Sequence, residues 1–97
     1  MSAFRVSSTS SANAVGWAVA ATIRGEGSAE LHVVGAGAAN QALKAIAIAR
    51  ALLRDDDVDL VCAPEFMDVE IEGLVRTALR LVVDGRDQRD AQGAPSE

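Results

Sequence analysis

Apolar positions along the chain switch between a period of two and a period near four, and the switches divide it into six elements. Ala3 to Ser8 is predicted as a short strand with Phe4 and Val6 on one face, broken by the polar run Ser7-Ser8-Thr9-Ser10-Ser11. Ser11 is then a good N-cap for a helix over Ala12 to Arg24, closed by Gly25 and Gly27. Within it Val15, Val19 and Ile23 form an apolar stripe, and Ala12, Gly16 and Ala20 form a stripe small enough for close backbone approach. Trp17 is expected to pack at the edge of that core.

Ala29 to Val34 is predicted as a second strand, and Gly35-Ala36-Gly37 turns it into an alanine-rich helix from about Ala38 to Arg54. Ala42, Ala45, Ile46, Ala49, Leu52 and Leu53 gather on its sheet-facing side. Asn40, Lys44, Ala47, Ala51 and Arg54 gather on the other, too poor in charge for a fully solvated face and suited to a neighbouring helix of this chain or another. After a solvated Asp55-Asp56-Asp57 loop, Val58 to Ala63 is an apolar strand interrupted by Pro64, and Met67, Val69 and Ile71 alternate with acids as a half-buried one. The chain turns at Glu72-Gly73 and returns over Thr77 to Asp84, completing a hairpin. Residues 84–97 contain no Val, Ile, Leu or aromatic side chain, so the domain is expected to span 1–84 and a disordered tail 85–97.

The order β-α-β-α-β-β predicts an α/β (α+β) two-layer sandwich. Right-handed crossovers place both helices on one face of a mixed four-stranded sheet, with both helix starts at one edge. An apolar fraction of 49% with 24% charged residues fits a globular chain of 97 residues, and no apolar run reaches the roughly 20 residues of a membrane span. Met1 to Val6 lacks the basic start and apolar stretch of a secretory signal, so a soluble, cytoplasmic protein with no membrane partner is expected.

Cys62 cannot form an internal disulfide and, with His32 alone to join it, supplies no zinc set; Cys62 is expected in the core and His32 as an ordinary strand residue. Three adjacent aspartates lack the alternating ligands and distal glutamate of a calcium loop. No metal and no cofactor are expected. Charge is uneven along the chain: Arg5, Arg24, Lys44, Arg50 and Arg54 against Glu26 and Glu30 leave residues 1–54 at +3, while from Asp55 onward twelve acids face four arginines, a balance of −8. Such asymmetry orients a partner or a second copy.

If the first two strands are adjacent and parallel, the hydroxyl-rich loop Ser7 to Ser11 and the glycine turn Gly35 to Gly37 meet. Both open helices, whose unpaired first-turn amides and dipole attract phosphate or carboxylate, and Lys44 is the nearby cation. Capping and turning are a sufficient structural reason for the same serines and glycines. A dinucleotide-binding fingerprint fails because Asn40 stands where a third glycine is needed and the chain is too short for the sheet that would hold the rest of the cofactor. A serine hydrolase fails for want of a G-x-S-x-G turn and of partners for His32, so no catalytic set survives.

The segments Val6-Ser7-Ser8-Thr9-Ser10-Ser11-Ala12-Asn13, Gly35-Ala36-Gly37-Ala38-Ala39-Asn40-Gln41-Ala42-Leu43-Lys44-Ala45 and Val58-Asp59-Leu60-Val61-Cys62 together resemble the stage V sporulation protein S family. The run Ala45 to Arg50 and Arg76-Thr77-Ala78 support the match, which covers about residues 3–84. The resemblance implies a bacterial protein of Alba-like fold, a nucleic-acid-binding regulator of sporulation or development that forms homodimers or higher oligomers. It places the polar first loop on Ser8, Thr9, Ser10 and Ser11, and the glycine turn with its polar helix start on Gly35, Gly37, Asn40, Gln41 and Lys44. Arg50, Arg54 and Arg76 are the further bases available to nucleic acid.

Two departures from the family's pattern bear on that expectation. Thr9 stands where lysine is common in the family, and the hairpin arm carries Glu65, Asp68, Glu70 and Glu72 against Arg76. Few neutralised phosphates predict weak, salt-sensitive binding unless oligomers pool their positive surfaces. The alternatives are a protein-interaction module acting through self-association and a small anionic ligand at the loop edge.

Overall fold

The computed structural model describes residues 2–88. β1 (Ser2–Val6) leads to α1 (Ala12–Glu26), β2 (Ser28–Val33), α2 (Ala36–Leu53), a short 3-10 turn (Arg54–Asp56), β3 (Val58–Ile71) and β4 (Leu74–Asp87). The four strands form one mixed sheet in the order β1-β2-β4-β3. β1 and β2 are parallel, and β4 runs antiparallel to both β2 and β3. This is the expected element order and α+β layering, and it is compatible with the Alba-like arrangement. Among the described residues no helix is long and apolar enough to cross a membrane.

Alternation in β2 decides which face of the sheet the helices cover. Ala29, Leu31 and Val33 are buried, and their cross-strand partners Val83 and Leu81 join them in one core with Val19, Ala20 and Ile23 of α1 and Ala38, Ala42, Ile46, Ala49 and Leu53 of α2. Both apolar stripes expected from helical spacing are therefore inward, with Val15 and Leu52 at the core's margin. The small-residue stripe of α1 meets α2: a Cβ added to Gly16 would lie 2.7 Å from Ile48 Cγ2 and 3.0 Å from the Ala45 carbonyl oxygen. The helices thus approach as closely as glycine allows. The outer stripe Asn40, Lys44, Ala47 and Ala51 is left exposed, since α1 packs on the side of Ala45 and Ile48.

Helix ends follow from capping. Ser11 Oγ accepts from the Ala14 N–H at 3.1 Å, and α1 closes at Gly27, whose φ of 84° lets its N–H reach the Ile23 carbonyl at 2.9 Å. Gly25 lies inside the helix rather than ending it. α2 begins at Ala36, two residues earlier than expected, because Gly35 already adopts the positive φ (89°) that turns the chain.

The hairpin departs most from expectation. β3 passes through Pro64 without interruption, because it is an edge strand in which alternate N–H groups face away from the ladder and none is lost to proline there. The turn at Glu72 and Gly73 is as expected, both residues at positive φ (52° and 79°), the combination of a two-residue turn matched to strand twist. β4, however, begins at Leu74 rather than Thr77 and continues through Gly85, Arg86 and Asp87, which were expected in the tail. Gly85 fits beneath the end of α1, its N–H donating to the Gly27 carbonyl at 2.9 Å. Residues 89–97 of the expected tail lie outside the described residues.

Two core assignments are corrected as well. Trp17, expected at the edge of the core, is 54% exposed. Cys62 is exposed: it follows buried Leu60 along the outermost strand, and the helices do not extend far enough to cover it.

Candidate nucleic-acid interface

Parallel pairing of β1 with β2 sets the C-terminal ends of both strands, and so both helix starts, side by side. The two loops touch. Gln41 donates from Nε2 to the Ser10 carbonyl oxygen at 2.8 Å, and a Cβ added to Gly37 would lie 2.9 Å from Ser8 Cβ. Ser8, Thr9, Gly35, Gly37 and Asn40 are all exposed along the edge this contact creates, with Lys44 exposed one helical turn beyond Asn40.

The two loops differ in what they can offer an anion. In the first, the Ser7 N–H donates to Ser10 Oγ at 2.9 Å, the Ser10 N–H to the Ser7 carbonyl at 3.1 Å, and the Thr9 N–H to Ser7 Oγ at 3.3 Å. Ser7 Oγ also lies within hydrogen-bond distance of Thr9 Oγ1 and Ser10 Oγ. Most of this loop's donors, with Ser11 committed as N-cap, are spent on holding its own shape. The glycine turn has no side-chain cap, so the first-turn amides of the exposed Ala36 and Gly37 have no capping side chain. Gln41 ties the loops together instead of extending toward a ligand.

The basic residues divide into separate groups. Lys44 lies about 12 Å along α2 from its start, whereas Arg50 and Arg54 lie about 21 and 27 Å along it, at the far end of the molecule. Arg50 is held there by Asp59, with Nε and Nη2 both donating to the carboxylate. That hydrogen bond lowers the Asp59 pKa below the ordinary carboxylate range and raises that of Arg50. Arg24 pairs similarly with Asp56 at 2.8 Å, so acids of the 55–59 region neutralise two of the bases at that end. Arg54 makes no ion pair among the described residues. The sequence-based grouping of Arg50 and Arg54 with the loops is therefore corrected: they share a helix with Lys44 but not an edge.

Arg76 sits on the hairpin arm, opposite Val69. β2 pairs with β4 only over Leu79 to Asp84, so beyond Leu79 the ribbon is bonded only to itself and projects past the end of β2 where the loops lie. The molecule is correspondingly elongated, 48 × 28 × 22 Å. Between arm and loops lies a recess of about 600 Å³, with Ser7, Ser8, Ser10 and Gly37 on the loop side and Met67, Val69 and Ile71 from the arm.

Arg5 also lines this recess. Its position was legible, because alternation in β1 turns it away from the helix side that Val6 faces, yet the residue stands outside the motifs that drew notice to the loops. In register with it across the uncovered sheet face run His32, Arg80 and Glu65. His32 Nε2 lies 3.1 Å from Glu30 Oε2, and Arg80 Nη1 donates to Glu65 Oε1 at 2.8 Å. Arg80 thus ties β4 to β3 on this face. Among the described residues no group of three or more His, Cys, Asp or Glu is placed to hold a metal ion.

A family model described as stage V sporulation protein S matches residues 2–86. With a match of that extent over β1 to β4, the chain belongs to the stage V sporulation protein S family.

Proposed function

We propose that this protein is a non-catalytic, cytoplasmic nucleic-acid-binding regulator acting in the sporulation-related role that its family membership indicates. The observation that carries the reading is the contact of the two helix-start loops, fixed by Gln41 on Ser10, which sets the serine loop beside the uncapped start of α2, the helix that also bears Lys44. Phosphate oxygens accept from the amides at Ala36 and Gly37, Ser8 and Asn40 add neutral donors, and Lys44 supplies charge. Arg76 extends the contact from the arm. A net charge of −5 and the acids of the arm keep a single copy's affinity low and strongly dependent on salt.

The test is a fluorescence-anisotropy titration of the full chain with labelled RNA, single-stranded DNA and duplex DNA at low salt. Saturable binding to at least one, weakened by Lys44→Ala, supports the reading; no binding to any of the three removes it.

A second reading, self-assembly, has its own support. Leu74 and Val75 are 69% and 70% exposed on a two-stranded ribbon, an element of marginal stability in water when alone, Phe66 is 81% exposed at its base, and Leu43 is exposed on α2. A second copy covering these side chains would also bring a second Lys44 edge into the same particle. Light scattering over a wide concentration range decides it: a strict monomer excludes assembly and leaves the nucleic-acid reading without pooled charge.

A further inference from the structure

The recess between arm and loops is much larger than a phosphate group requires; its volume of about 600 Å³ is that of a site for a small organic molecule. Its walls differ in chemistry. Arg5, with no ion pair among the described residues, and the hydroxyl of Ser8 make one part of the lining polar and cationic. Val34, Met67, Val69 and Ile71 make the rest aliphatic. The ring in its lining is the imidazole of His32, whose Nε2 lies 3.1 Å from Glu30 Oε2, and a bare inorganic anion would leave the aliphatic wall facing water. Glu70, also in the lining, disfavours a head group bearing more than one negative charge.

We propose that this recess binds a small amphipathic monoanion, a carboxylate with an aliphatic chain, its head on Arg5 and the Ser8 hydroxyl and its chain against Met67 and Val69. The recess adjoins the nucleic-acid edge and shares Ser8 and Gly37 with it, but Lys44 is not among the residues that line it.

Isothermal titration calorimetry of the full chain with octanoate, acetate and inorganic phosphate tests this, with octanoate kept below its micellar concentration. Expected is saturable binding of octanoate, at least tenfold weaker binding of acetate and phosphate, and at least tenfold weakening of octanoate by Arg5→Gln and by Met67→Glu. Arg5 and Met67 lie outside the buried core, and circular dichroism checks that both variants fold. Lys44→Ala should leave octanoate binding unchanged, so this test and the nucleic-acid titration fail independently. Absence of saturable octanoate binding, equal affinity for acetate or phosphate, or full binding by folded Arg5→Gln overturns the proposal.

Discussion

Gln41 Nε2 donates to the Ser10 carbonyl oxygen across 31 residues of sequence, joining the start of α2 to the loop that precedes α1. The carbonyl belongs to a loop already closed by its own serines, so the bond fixes the distance between two pre-formed turns. Gln41→Ala removes the tie at a part-buried position and is expected to cost about 1 kcal/mol of stability. Chemical denaturation measures it, and an unchanged midpoint would show that the loops are held together by other contacts.

Gly37→Ala probes the same junction by crowding. The added methyl group would stand 2.9 Å from Ser8 Cβ, so the serine loop must move. Amide NMR shifts should therefore change at Ser7 to Ser11, far along the chain from the substitution, and nucleic-acid affinity should fall several-fold. Shift changes confined to residues 34–40 would contradict the contact.

Gly16→Ala separates helix propensity from packing. Alanine in an exposed helix interior is favoured over glycine by about 1 kcal/mol. Here the new methyl group meets Ile48 Cβ at 2.8 Å as well as its Cγ2, neither at the free end of a flexible side chain. Overpacking of this kind costs about 1–3 kcal/mol, so a net loss in thermal midpoint is expected. A gain would mean that α1 and α2 can separate without cost.

Cys62 provides a test of the edge strand. An exposed thiol reacts with a maleimide in native buffer, without denaturant. Partial desolvation raises its pKa, so the reactive thiolate is scarce at pH 7, and the rate should climb with pH beyond the point where an ordinary cysteine has levelled off. A thiol that reacts only after unfolding would place β3 differently.

Asp59 links the far end of α2 to acidity. Its pKa is lowered in the folded chain, chiefly by the Arg50 hydrogen bond, so whatever stability the pair contributes is fully present above the unfolded carboxylate pKa and is lost as pH falls through the folded value. Arg50→Ala should flatten the acid limb of the stability profile, measured by denaturation between pH 6 and 2, without altering its course above pH 6. A change confined to neutral pH would count against the pairing.

Much of the fold was legible because local rules and the core agreed. Ser11 had the side chain of an N-cap and caps; Ala29, Leu31 and Val33 alternated and are buried; Glu72-Gly73 had the residues of a tight turn and forms one. What escaped depended on neighbours that no local pattern names. Pro64 marks a strand break only if both edges of the strand are paired, and β3 has one edge free. Cys62 and Trp17 have the composition of core residues, but the helices cover neither. Leu74 and Val75 extend a strand with no helix behind it, so burial gave no reason to expect them there. At the candidate site, the meeting of the loops followed from the βαβ order, whereas the separation of Arg54 from Lys44 follows from the length of α2.

The division of positive charge along α2 gives the most direct measurement of the central claim. Anisotropy titrations of wild type, Lys44→Ala and Arg54→Ala are compared on one oligonucleotide over a series of salt concentrations. If phosphate is held at the loop edge, Lys44→Ala lowers affinity and reduces the slope of log K against log salt by about 0.7–0.9, depending on whether the strand is single or double, while Arg54→Ala leaves both unchanged. Equal losses from the two substitutions, or a loss from Arg54→Ala alone, would contradict it.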